Sequence, residues 1–137
     1  MNLFNELKQV KTLLVDDDEF IRDSLRMAFH TKGCAMRVAE TAEEGLQALQ
    51  EETFDIIISD FRLPGIDGLK FLKMAGMTHP QAVKFMITAY KDDHIFSEAH
   101  RVGVHEFIEK PFAVRAFIEL LALSLKRRTN NKLSGVN

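Results

Sequence analysis

The chain has 137 residues, 46% hydrophobic and 28% charged, with a formal net charge of -2. That length supports one domain with a single sizeable core, and acids and bases so evenly interspersed leave no nucleic-acid footprint. No apolar run approaches a membrane span, no signal-peptide pattern opens the chain, and the single cysteine, Cys34, cannot form an internal disulfide, so the cytoplasm is the expected compartment.

Residues 2–10 (NLFNELKQV) place Leu3, Leu7 and Val10 on one helical face, which suits a short amphipathic helix or a frayed lead-in. Thr12–Val15 reads as the first strand and runs straight into Asp16, Asp17 and Asp18. A helix follows, with Ile21, Leu25, Ala28 and Phe29 on one face and Gly33 as its stop. Cys34–Ala39 is a second strand, and Cys34 at its start is a buried structural thiol. Thr41-Ala-Glu-Glu44 is a capping box that opens a second helix carrying Ala42, Leu46 and Leu49.

The stretch Phe54–Gly68 (FDIIISDFRLPGIDG) organises the rest. The β-branched run Ile56-Ile57-Ile58 predicts a strand buried on both faces. It stops at Ser59-Asp60, and turn chemistry follows at Pro64-Gly65 and Asp67-Gly68. A third helix runs from Gly68 to about Ala75 with Leu69, Phe71 and Leu72 inward, and Gly76–Pro80 breaks it. Ala82–Ile87 is a fourth strand that stops at Thr88-Ala89. Asp92–Val102 is a fourth helix with Ile95, Phe96, Ala99 and Val102 inward, ended by Gly103. His105–Ile108 is a fifth strand ending near Glu109-Lys110-Pro111. The last helix carries Val114, Phe117, Ile118, Leu121 and Leu125 as a stripe, Lys126-Arg127-Arg128 suits its C-terminal end, and Thr129–Asn137 reads as a loose tail.

Five alternations of strand and helix predict an α/β fold: a doubly wound, five-stranded parallel sheet with helices on both faces. The flavodoxin-like order 2-1-3-4-5 is the natural one for such units. The expected organisation is an extension at 1–10, a domain at 11–128 and a flexible tail at 129–137.

In that topology the carboxyl ends of strands 1, 3, 4 and 5 converge, which brings Asp16-Asp17-Asp18, Asp60, Thr88 and Lys110 to one edge. Crowded carboxylates repel, and an all-oxygen donor set suits Mg²⁺ or Mn²⁺. Lys110 adds a second cation and Thr88 a neutral donor, so the set can hold a phosphoryl group on Asp60. Asp18 reads as a helix cap. The five histidines show no metal-ligand spacing and read as surface or satisfied polar residues.

The segments LLVDDDEFIR, SDFRLPGIDG, MITAY and FIEKPF resemble the receiver domain of two-component response regulators, over roughly residues 10–128. The resemblance implies that Asp60 accepts a phosphoryl group from a phosphohistidine on a sensor histidine kinase or histidine phosphotransfer protein. It implies that Asp17 and Asp60 bind Mg²⁺ directly, Asp16 through water, and the Arg62 backbone carbonyl completes the protein ligands. Thr88 and Lys110 match the family's switch hydroxyl and lysine, Phe107 its aromatic switch position, and Lys110-Pro111 a cis peptide bond. Arg62 and Tyr90 fall at variable sites that tune phosphorylation and hydrolysis, and Phe107 replaces the commoner Tyr. The face formed by the fourth helix, fifth strand and last helix would change its affinity for an unknown target protein. No direct nucleic-acid or membrane contact is expected.

Two rivals stay open. A receiver fold can serve as a docking module without phosphorylation. Asp16-Asp17-Asp18 also contains the Asp-x-Asp of haloacid-dehalogenase-type phosphatases, although Glu19-Phe20 follows it in place of a Gly-Thr-type turn. With no DNA-binding or catalytic domain after the last helix, the expectation is a receiver that stands alone or is excised from a longer chain, and a protein that is not an enzyme beyond its own phosphorylation and dephosphorylation.

Overall fold

A strand that is apolar on both faces needs cover on both, and Ile56–Ile58 receives it. The computed structural model describes residues 4–89 and 92–133, with side chains to residue 128. Strands β1 (Lys11–Val15), β2 (Ala35–Ala39), β3 (Ile56–Asp60), β4 (Val83–Thr88) and β5 (Glu106–Glu109) form one parallel sheet in the order β2-β1-β3-β4-β5. The helices are α1 (Phe4–Leu7), α2 (Glu19–Thr31), α3 (Ala42–Glu51), α4 (Gly68–Thr78), α5 (Asp93–Arg101) and α6 (Val114–Leu133). The expected fold class and strand order are both present.

Alternation along each strand divides the core in two. Leu14, Ile56, Ile58, Phe85 and Ile87 face α2 and α6, where they meet Leu25, Phe29, Phe117, Ile118 and Leu121. Leu13, Val15, Ile57 and Met86 face the other way and meet Ala48, Phe71, Leu72 and Ala99 of α3, α4 and α5. Every residue of β3 and of β4 is buried, as sheet-central strands require. Among the described residues no helix is long and apolar enough to cross a membrane.

Local chemistry explains most element boundaries. Asp18 caps α2 by accepting from Phe20 N and Ile21 N, and Gly33, at φ 73, turns the chain into β2. Asp92 caps α5, and Gly103, at φ 95, follows it. Three details differ from the sequence expectation. The Thr41 hydroxyl accepts from Glu44 N at 3.1 Å, but Glu44 Oε2 reaches back to Glu40 N at 2.9 Å, one residue before the cap. Gly76 does not break α4. The helix continues to Thr78, and the missing side chain makes room for Lys84, whose Cε would lie 3.4 Å from a Cβ at that position. The buried Lys84 Nζ donates to His79 O and Ala82 O, tying the C-terminal end of α4 to β4. Helix α6 runs on to Leu133, so Lys126–Arg128 lie inside it rather than at its end, and Arg127 pairs with Glu106 at 3.5 Å.

The N-terminal segment is ordered by tertiary contact. Leu7 of the short α1 is fully buried, and Phe4 meets Phe29 edge-on at 6.4 Å. Leu3, expected on the same face, lies outside the described residues. Cys34 is buried and free, as expected.

Gly45 marks where α3 presses on the sheet: a Cβ there would lie 2.8 Å from both Phe71 and Val15. Both neighbours are fully buried and cannot yield. Helix propensity alone would make Gly45→Ala stabilising by about 1 kcal/mol. The close approach reverses that sign, and the variant is expected to lose about 1–3 kcal/mol by urea denaturation. A stabilised Gly45→Ala protein would contradict this packing.

Candidate functional site

Register brings the ends of four strands level. Val15 pairs with Ser59, Asp60 with Ile87, and Thr88 with Glu109, so the next residues along β1 and β5, Asp16 and Lys110, arrive at the same edge. Carboxylate oxygens of Asp16, Asp17 and Asp60 lie within 4.8 Å of one another. Asp16 is fully buried and Asp60 nearly so, while Asp17 is exposed. Lys110 Nζ donates to Asp60 Oδ2 at 3.1 Å and stands 3.4 Å from Asp16 Oδ2. A cavity of about 250 Å³ opens here, lined by Asp17, Asp60, Arg62, Thr88 and Lys110 among others.

The backbone around the acceptor-type acid is tightly held. Ser59 Oγ donates to Asp60 O at 2.9 Å, Phe61 N donates to Ile87 O at 2.8 Å, and Gly68 N donates to Phe61 O at 2.8 Å. The last contact seats the first turn of α4 on the end of β3. A Cβ on Gly68 would fall 1.9 Å from Asp60 O, so only glycine fits. Lys110 N donates to Thr88 O at 2.9 Å, and the Lys110-Pro111 peptide is cis, as the resemblance implies.

Electrostatics follow from burial and crowding. Asp60 is pushed up to about 6 by desolvation and by the Asp16 charge, and Lys110 opposes the shift without cancelling it. Desolvation also raises Asp16, against the Asp18 backbone N–H and Lys110. Burial works against the Lys110 ammonium, yet Asp16 and Asp60 outweigh it and hold its pKa above the ordinary value. Asp16 Oδ2 is buried and, among the described residues, accepts no hydrogen bond. A lone buried carboxylate oxygen beside two more carboxylates is a hard, all-oxygen donor set, and the residues present fit Mg²⁺ or Mn²⁺.

Asp16, Asp17, Asp60, Arg62, Thr88 and Lys110 therefore gather as expected. Phe107 does not line the cavity. It is half-buried on β5, packed against Phe96 of α5 with ring centroids 4.6 Å apart and the rings tilted by 45°. Tyr90 lies outside the described residues. Asp18 is spent on the cap of α2, so it does not join Asp16 in the cluster as the Asp-x-Asp reading needs. Sequence reasoning passed over Ser59 and Gly68. The Asp67-Gly68 pair carried a signal of its own, since a glycine directly after a capping aspartate implies a close backbone approach. A larger groove of about 740 Å³ lies between α2 and β2, but its charges pair with one another, Lys11 with Glu52 and Arg26 with Asp23, and they leave no convergent chemistry.

The chain matches the family model of the response regulator receiver domain over residues 12–122. It is 34% identical over 108 residues to the DNA-binding transcriptional regulator NtrC of Klebsiella pneumoniae, a match covering 79% of this chain and 23% of that protein. It is 34% identical over 112 residues to the response regulator protein FleR of Pseudomonas aeruginosa, covering 82% of this chain and 24% of the relative. The chain thus spans about a quarter of the length of these curated relatives. Among solved structures, a CheY-like response regulator receiver domain protein from Methanospirillum hungatei JF-1 is similar with a TM-score of 0.83 at 29% identity, covering 88% of this chain and 97% of that one.

The raised Asp60 pKa has a consequence for stability. In metal-free buffer the folded state holds the Asp60 proton more tightly than the unfolded state, whose carboxyl titrates near 3.8. The associated stability is complete below about pH 4 and is lost as pH rises through about 6. Asp60→Asn removes that loss, and its urea unfolding free energy at pH 7 is expected to exceed the unsubstituted protein's by about 3 kcal/mol, with the two curves converging toward pH 4. Parallel curves across this range would show that Asp60 titrates normally.

Proposed function

The chain belongs to the response regulator receiver domain family, and from that premise we propose that it is a phosphorylation switch with Asp60 as its acceptor. The observation that carries this reading is the clustering of Asp16, Asp17, Asp60 and Lys110, with Asp17, Asp60 and Lys110 lining one cavity. The donor is a phosphohistidine on a sensor histidine kinase or a histidine phosphotransfer protein. An Asp60 carboxylate oxygen forms a bond to phosphorus as the P–N bond breaks, and the imidazole leaves with the electron pair. A pKa of about 6 keeps Asp60 mostly ionised near neutrality, as a nucleophile must be.

Asp17 and Asp60 would hold a magnesium ion directly, Asp16 through water, with the Arg62 carbonyl as a further ligand. When bound, the ion supplies positive charge against the transferring phosphoryl oxygens. Lys110 does the same from the opposite side, since it already donates to Asp60 Oδ2. Thr88, buried at the end of β4, offers its hydroxyl to the phosphoryl group. Next to the cavity, the exposed Phe20 and a groove lined by Ile21, Ser24, Pro111 and Phe112 give a donor protein an apolar surface to cover.

The readout passes through β5. Movement of Thr88 toward the phosphoryl group frees space that Phe107 can enter, and Phe107 then leaves Phe96 of α5. The face of α5, β5 and α6 is altered, and a downstream target protein senses it. The switching unit is 11–128, it works in the cytoplasm, and 1–10 is an extension, of which Phe4 and Leu7 pack against the core. Arg62 and Tyr90 would set how fast the phosphoryl group arrives and leaves.

Acetyl phosphate with Mg²⁺ should add one phosphoryl group by intact mass spectrometry. Chelating the metal should abolish the gain, Asp60→Asn should show none, and Lys110→Met should slow it about 100-fold. Addition to Asp60→Asn would refute the assignment.

A further inference from the structure

We infer that Arg22 is a positioning residue of the acidic site: its guanidinium anchors the Asp16 main chain so that Asp16 Oδ2 alone is left to face the cation. The inference rests on the proposed reading of that site and deepens it.

Every polar atom of Asp16 has a stated fate. Its N donates to Ala39 O at 3.1 Å, its Oδ1 accepts from Asp18 N at 2.9 Å, and its carbonyl oxygen accepts from Arg22 Nη1 at 2.9 Å. Oδ2 is buried, has no hydrogen bond among the described residues and lies 3.4 Å from Lys110 Nζ. With its main chain held at two atoms and its carboxylate held at Oδ1, Asp16 cannot turn Oδ2 away from its neighbours. Arg22 N also donates to Asp18 O at 3.1 Å. Asp16, Asp18 and Arg22 therefore close a ring of hydrogen bonds that joins the end of β1 to the first turn of α2.

Arg22 is six residues from the carbonyl it holds, a span that needs a long side chain with a donor at its tip. Its contact is to a carbonyl, while the cation facing the carboxylates is Lys110. This separates two possible roles by sign. If Arg22 acted only as a nearby positive charge, it would oppose a second cation, and removing it would tighten Mg²⁺ binding. If it orients Asp16, removing it loosens the site. Groups that orient ligands from behind typically change metal affinity by about 10–100-fold.

The test is Mg²⁺ titration of the unphosphorylated full chain at constant ionic strength, followed by amide chemical shifts. Arg22→Met is expected to weaken Mg²⁺ about 10-fold and to speed hydrogen exchange at the Asp18 amide in metal-free buffer. Arg22→Lys keeps the charge and a donor of similar reach, and should recover most of the affinity. Arg26→Gln removes an exposed charge from the same helix, one paired with Asp23 at 3.4 Å, and should not weaken binding. Should Arg22→Met fail to fold, Arg22→Gln, too short to reach the carbonyl, is read in the same way. Binding by the Met or Gln variant as tight as in the unsubstituted protein, or tighter, overturns the role of Arg22 and leaves the site reading standing. An unsubstituted protein that shows no saturable Mg²⁺ shift overturns both.

Discussion

Two buried carboxylates at the ends of neighbouring strands repel, and the fold is arranged to tolerate that repulsion without relieving it. Asp16 and Asp60 are brought together by the β1–β3 register, and the apolar strands behind them deny them water. Lys110, delivered by β5, reaches both. One ammonium between two carboxylates, with Asp17 at the rim, still leaves an excess of negative charge. Asp60 is therefore raised while Lys110 is raised with it. A site in that condition favours any cation that fits it, which is the physical basis for reading it as a metal-assisted phosphoryl acceptor.

The rigidity around the acids comes from the backbone. Ser59 fixes the Asp60 carbonyl, Arg22 fixes the Asp16 carbonyl, and Gly68 lets α4 start against the end of β3. The other end of the sheet is secured separately. There Lys84 Nζ holds the carbonyls of His79, the C-cap of α4, and of Ala82, His105 Nδ1 accepts from Lys84 N, and α1 covers Phe29. The mobile chemistry is thus set on a frame tied at both edges, with the Phe96–Phe107 contact joining α5 to β5 within the face proposed to respond.

Much of this is legible in the sequence because it is encoded locally. The run Ile56–Ile58 announces a central strand, each strand stops at a polar residue, and Asp18, Thr41 and Asp92 sit where caps must be. Strand order follows from alternation, and strand ends then assemble Asp16, Asp17, Asp60, Thr88 and Lys110 without further information. Features set by tertiary contact are the ones that escape. Gly76 looks like a helix breaker until Lys84 is seen to need its space, and Gly45 looks like a weak point in α3 until Phe71 is placed beside it. Lys126–Arg128 resemble a helix terminus, yet α6 continues past them. Ser59 and Arg22 act on carbonyls, and no pattern of side-chain types records which carbonyl a hydroxyl or guanidinium will find.

The central claim is that the three aspartates form one cation pocket around the acceptor. Crystals grown with Mn²⁺ and measured at its absorption edge test it most directly. The account predicts a single anomalous peak in contact with the carboxylates of Asp17 and Asp60 and beside Asp16. A peak elsewhere, for instance at the Glu51–Glu52 pair, with none among the three aspartates, would contradict it.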